Sequence, residues 1–177
     1  MSVQVVQNLQ GERPNPRERP VRSGFASAYR APWWLPSGHL QTIYARSLAK
    51  NYRVAFRRVR WQTPDQDFID LDWLGQEADD SRLLVLFHGL EGCSQSHYAT
   101  SLMRTAARSC WRGVVPHFRG CSGEANRLVR SYHSGDSREI DWILRRLKDA
   151  NRHAKIYVVG VSLGGNMLLK WLGEEGV

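Results

Sequence analysis

The sequence lacks any apolar run approaching the roughly 18 residues that cross a bilayer. Its start, MSVQVVQNLQGERP, has no basic stretch followed by an apolar core. Both absences argue against a spanning helix and a secretory leader, and the chain reads as cytoplasmic. Cysteine is scarce: Cys93, Cys110 and Cys121 form no C-x-x-C and leave an odd count. That argues against structural disulfides and against a metal site, with reduced thiols as the expectation. Basic residues outnumber acidic ones, 25 to 17, for a net charge of +8. Yet there is no run of five or more, no aromatic RNA-binding signature and no zinc-finger spacing, so a nucleic-acid partner is not expected. Internal repeats and low-complexity tracts are absent too.

What is present fits one soluble domain: 177 residues, 42% apolar and 24% charged, with seven tryptophans. Residues 1–30 read as a weakly ordered basic arm, because prolines 14, 16 and 20 alternate with charges and no apolar period appears. From Ala31 the composition changes. Leu40, Ile43, Tyr44 and Leu48 have helical spacing behind a capping Ser37. Segments 52–63 and 68–76 read as an antiparallel hairpin across TPDQD, and Asp70 and Asp72 alternate with Ile69, Leu71 and Trp73 as on a sheet with one wetter face.

Strands and helices then alternate. Runs 82–87, 113–118 and 155–161 read as buried strands, with helices over 97–110 and 134–150 and a last one from Gly165. In the second helix, Asp136 with Glu139 predicts an acidic capping box, and Ile140, Ile143, Leu144 and Leu147 one apolar face. Such alternation predicts an α/β fold, a hairpin followed by parallel strands with flanking helices.

The strongest chemical signal is Gly160-Val161-Ser162-Leu163-Gly164, a G-x-S-x-G between a β-branched strand and an amphipathic helix. The two glycines let strand and helix pack closely, and the turn between them presents Ser162 as a nucleophile. Strand 82–87 ends in His88-Gly89-Leu90-Glu91-Gly92, an H-G-x-x-G turn. In such an arrangement the backbones of Leu90 and Leu163 are the expected oxyanion donors. His88 sits at the foot of that loop, where a structural hydrogen bond is expected rather than general-base work.

RVRWQTPDQDFIDLDWL, LVLFHGLEGCSQSHY, GVVPHFRGCSGEANRLVRSYHSGDSREIDWIL and VVGVSLGGNMLLKWLGEEG together resemble the α/β-hydrolase superfamily. More narrowly they resemble its AB hydrolase 4 family of carboxylesterases and acylglycerol lipases, the yheT-like hydrolases. PWWLPSGHLQTIYA is similar to that family's lead-in segment. The likeness covers about residues 31–177. It implies a serine hydrolase of carboxylic esters, short-chain or glycerol-linked, working without a cofactor through a Ser-Asp-His relay in which Ser162 matches the serine.

The family's relay Asp and His follow the serine on later strands. No histidine follows Ser162 here, so the relay Asp and His are expected to be absent, and 31–177 reads as the N-terminal part of the fold with its C-terminal strands missing. His97, His117, His133, His153, Asp136 and Asp141 all precede Ser162 and are not expected to replace them. On this reading strand 155–161 has an open edge suited to self-association, and turnover by these residues alone is small. Trp33 and Trp34 leave peripheral membrane contact open, although tryptophans of such a lead-in segment more often pack on the body. A non-catalytic remnant serving as an interaction protein is the alternative.

Overall fold

The computed structural model describes residues 3–6, 30–47, 53–75 and 82–175. In chain order the elements are β1 (Val3–Val6), α1 (Gly38–Ser47), β2 (Arg57–Gln62), β3 (Phe68–Leu74), β4 (Leu83–Phe87), α2 (His97–Arg108), β5 (Arg112–Pro116), α3 (Ser137–Ala150), β6 (Ile156–Val161) and α4 (Leu163–Glu175). They fall into two units: residues 1–10 with 52–177, and residues 11–51, which hold α1.

In the larger unit the strands form one sheet in the order β1-β6-β4-β5-β3-β2. The hairpin read from the sequence is there, β2 antiparallel to β3 with Arg57 opposite Trp73 and Gln62 opposite Phe68. β4 lies parallel to both β5 and β6 and so is central. Its five residues are buried on both faces, which explains the unbroken run LLVLF. Leu83, Val85 and Phe87 face α3 and α4, packing with Ile140, Ile143, Leu147, Met167 and Trp171. Leu84 and Leu86 face α2, where Ala99, Met103 and Ala106 meet them. The period of two along β4 thus divides the core into two layers.

Three expectations are corrected. Within the arm read as weakly ordered, Val3–Val6 forms β1 and pairs antiparallel with β6, Val3 opposite Val161 and Val6 opposite Val158. The β6 edge expected to lie open is covered along those residues, because a β-branched stretch satisfies backbone groups that an edge would leave unpaired. Residues 7–29 of the arm, with Leu48 and Gln76, lie outside the described residues. The capping box also fails to form. Asp136 makes no side-chain cap and instead accepts Arg130 Nη2 at 2.9 and 3.0 Å, while buried Glu139 accepts Arg119 Nε at 2.8 Å. Arginines of the preceding loop compete away both carboxylates. Finally, the face of β3 that carries Asp70 and Asp72 is not wet, since both are buried. Arg60 and Arg58 of β2 bind them in two-pronged pairs at 2.7–2.9 Å.

Candidate active site

Ser162 stands between the end of β6 and the start of α4 with φ of +52°, exposed to solvent. A left-handed conformation is costly for a residue with a Cβ and persists only where the surroundings impose it. Here the neighbouring glycines impose it. A Cβ on Gly160 would lie 2.6 Å from Gly165 Cα, and one on Gly164 would lie 2.5 Å from the carbonyl oxygens of Phe87 and His88. Strand β6, helix α4 and the end of β4 therefore touch backbone to backbone. The serine hydroxyl has no hydrogen-bond partner among the described residues, and the N–H of Leu163 opens the first turn of α4, where helical donors have no internal acceptor.

The H-G-x-x-G turn lies against this elbow, with the site of a Gly89 Cβ 3.4 Å from Ser162 Cβ. Its backbone donors are nearly all used. The Gly89 N–H donates to Tyr98 Oη at 3.0 Å, Glu91 N–H to Tyr132 Oη at 3.1 Å, and Gly92 N–H to Gly89 O at 3.0 Å. Tyr132 in turn donates to Glu91 Oε1 at 2.9 Å, closing a small ring. The N–H of Leu90, an exposed residue, has no partner among the described residues. The sequence places Tyr98 in a helical stripe with Leu102 and Ala106, but assigns neither its hydroxyl nor that of Tyr132 to this turn. Their contacts cross 9 and 41 residues, and no local pattern signals such a clamp.

His88 is fully buried. Its Nδ1–H donates to Gly89 O at 2.7 Å and its Nε2 accepts the Phe118 N–H at 3.0 Å, which sets the neutral tautomer. Burial pushes its pKa down to about 4; the bond to Gly89 acts in the other direction, and nearby His117 adds to the fall. It ties the turn to the end of β5, as its place at the foot of the loop suggests.

The other described histidines of the larger unit have partners other than the serine hydroxyl, or none. His117 Nε2 is 2.9 Å from Asp72 Oδ2, in a buried cluster where Ser94 Oγ and Arg58 also donate to Asp72. Burial pushes the Asp72 carboxyl up, but the hydrogen bonds from Arg58, His117 and Ser94 outweigh it and hold the group well below the usual carboxylate range. His133 is exposed, with Nδ1 on Ser134 O and Nε2 4.0 Å from Asp136. His97 begins α2, its ring edge-on to Tyr98, and Asp141 on α3 accepts Arg145 and Trp171. His153 follows the end of α3, at the opposite end of β6 from the elbow. None of them hydrogen-bonds Ser162. Among the described residues no group of His, Cys, Asp or Glu is arranged to hold a metal ion, and no helix is long and apolar enough to cross a membrane.

A central parallel sheet, a strained serine between strand and helix, and a donor loop against it define the architecture. The alpha/beta hydrolase fold family matches residues 82–175, and the chain belongs to that family. It is 46% identical over 140 residues to the protein named "Putative esterase YheT" of Escherichia coli K12, a match that spans 78% of this chain and 41% of that one. It is 26% identical over 150 residues to human "Phospholipase ABHD3", across 81% of this chain and 37% of that one. The chain thus spans about two fifths of the length of these relatives. An alpha-beta serine hydrolase homologue from Coxiella burnetii superposes with a TM-score of 0.56 at 16% identity, covering 70% of this chain and 60% of that one, a likeness of fold.

Proposed function

We propose that this chain carries the nucleophile and oxyanion hole of a carboxylic ester hydrolase acting on short-chain or acylglycerol esters. The observation that supports it most is the left-handed Ser162, bare at the head of α4, beside a loop whose unpaired backbone donor is Leu90. Ser162 Oγ attacks the acyl carbon, and the carbonyl oxygen, now carrying the negative charge, takes hydrogen bonds from the N–H groups of Leu90 and Leu163. The carbonyl re-forms as the C–O bond to the alcohol breaks and the alcohol oxygen takes up the proton that left Ser162. Water then cleaves the acyl-serine, releasing the carboxylic acid and returning a proton to Ser162. The relatives' names, esterase and phospholipase, agree with ester substrates.

The relay Asp and His are assigned to residues outside these 177, because every histidine precedes Ser162 and none described bonds to it. No cofactor is invoked. The test has two arms. Reading the DNA beyond codon 177 should find an in-frame Asp and a later His. Hydrolysis of p-nitrophenyl esters of increasing chain length should be serine-dependent in the extended protein, falling about a thousandfold or more in Ser162→Ala. The 177 residues alone should match their own Ser162→Ala variant. Serine-dependent turnover by the short chain would place the base within it, whereas an inert extended protein would favour an interaction role.

A further inference from the structure

Among the described residues of the smaller unit, four large apolar side chains are exposed. In residues 30–47, Pro32 to Leu35 makes a β-turn, closed by the Leu35 N–H on Pro32 O at 2.9 Å and braced by Gln41 Nε2 on Leu35 O at 2.9 Å. Its two corner positions are Trp33 and Trp34, which are 91% and 50% exposed. On α1, Leu40 and Ile43 are 49% and 56% exposed and lie three residues apart, so they share one side of the helix. Four large apolar side chains within 11 residues are far from the scattered exposure normal on a soluble surface. Tryptophan is the residue best suited to the level of lipid headgroups, where its ring is wetted at one end and apolar at the other.

Charge points to the kind of surface that covers them. Residues 11–51 carry seven Arg and Lys against two Glu, and no carboxylate occurs anywhere between Glu18 and Asp65. Five of the chain's eight net positive charges thus belong to less than a quarter of its length. Apolar anchors joined to a carboxylate-free basic stretch match an anionic bilayer surface, where each cation near the headgroups adds to the apolar term. We propose that Trp33, Trp34, Leu40 and Ile43 dock this protein peripherally on membranes containing anionic phospholipid. The docking goes beyond the hydrolase reading and does not need Ser162 to be a nucleophile.

The test is co-sedimentation of the full chain with vesicles, in the Ser162→Ala background so that no ester in the lipid can be cleaved. Vesicles of equal phosphatidylglycerol and phosphatidylcholine should retain it about tenfold better than phosphatidylcholine alone, and raising the salt should erase that difference. The double variant Trp33→Ser/Trp34→Ser should lose about tenfold on the anionic vesicles. Val129→Ser, equally exposed but elsewhere, should lose nothing. Circular dichroism of both variants should match the parent, since these side chains are at the surface. Equal binding to both vesicle types, or an undiminished double variant, would overturn the proposal. So would failure to sediment with either, or tight capture of a single-stranded RNA oligonucleotide that survives the tryptophan changes.

Discussion

At the elbow, backbone meets backbone: Gly160 against Gly165, Gly164 against the carbonyls of Phe87 and His88. In the loop of residues 117–136, charge meets charge instead. Arg119, with a side chain only 3% exposed, pairs with Asp65, Asp67 and Glu139, and fully buried Asp67 also takes the N–H groups of Phe68, Arg127 and Leu128. Arg58 reaches Ser122 O, Arg60 reaches Glu124, and Asn126 donates to Phe68 O, so the hairpin grips this loop along its length. The elbow is held by having no room, the loop by having no unpaired charge to spare. One Glu139 oxygen is the exception, buried without a partner, and burial raises that carboxyl's pKa against the pull of Arg119.

The two strategies should fail differently. Arg119→Met strands Asp67 and Glu139 in the interior, and urea unfolding should show a loss of about 4 kcal/mol, the usual cost of breaking a buried pair from one side. Gly164→Ala should cost about 3 kcal/mol by overpacking, with no rescue by salt or pH, because its clash is with backbone oxygens. If Gly164→Ala proved neutral, the close approach would be wrong. Third is a pH effect at the joint between the regions. His88 has a folded pKa of about 4 against 6.5 in an unfolded chain. Its contribution is therefore complete above pH 6.5 and drains away as pH falls toward 4, since only the unfolded state takes up the proton there. Stability should drop by about 2 kcal/mol more between pH 7.5 and 5 in the parent than in His88→Gln. An identical slope in both would deny the buried neutral tautomer. Smallest is Ser162→Gly, which should raise stability by about 1 kcal/mol by relieving the left-handed serine while removing the hydroxyl.

The same contrast explains what was legible beforehand. The elbow is written in five consecutive residues, and the strand and helix beside it carry periods of two and about 3.6 that need no distant partner. The hairpin and the helix stripes were readable for that reason, to within a few residues at their ends. In the loop network, an ordering role for Arg119, Arg127 and Arg130 was readable, but not which carboxylates Arg119 and Arg130 take. Asp136 and Glu139 have the spacing of a capping box, yet Arg130 and Arg119 take them, and nothing in a local window says that an arginine 20 residues upstream will arrive first. Asp70 and Asp72 looked like the wet side of a strand because alternation reports polarity, not what folds over it. The tyrosine clamps on Gly89 and Glu91 were hidden too, since neither Tyr98 in its helix nor Tyr132 in its loop shows locally whether its hydroxyl is idle or employed.

The pairing of β1 with β6 sets a timetable for the nascent chain. Val3 and Val161 are neighbours in the sheet although 158 positions separate them, so the earlier residue waits for the later one. At ribosomal speeds that interval is on the order of ten to thirty seconds. Through it the valines near the start must stay clear of other partners while the hairpin and β4 find theirs. That edge is therefore covered only after β6 is made, by a segment made before the hairpin and β4.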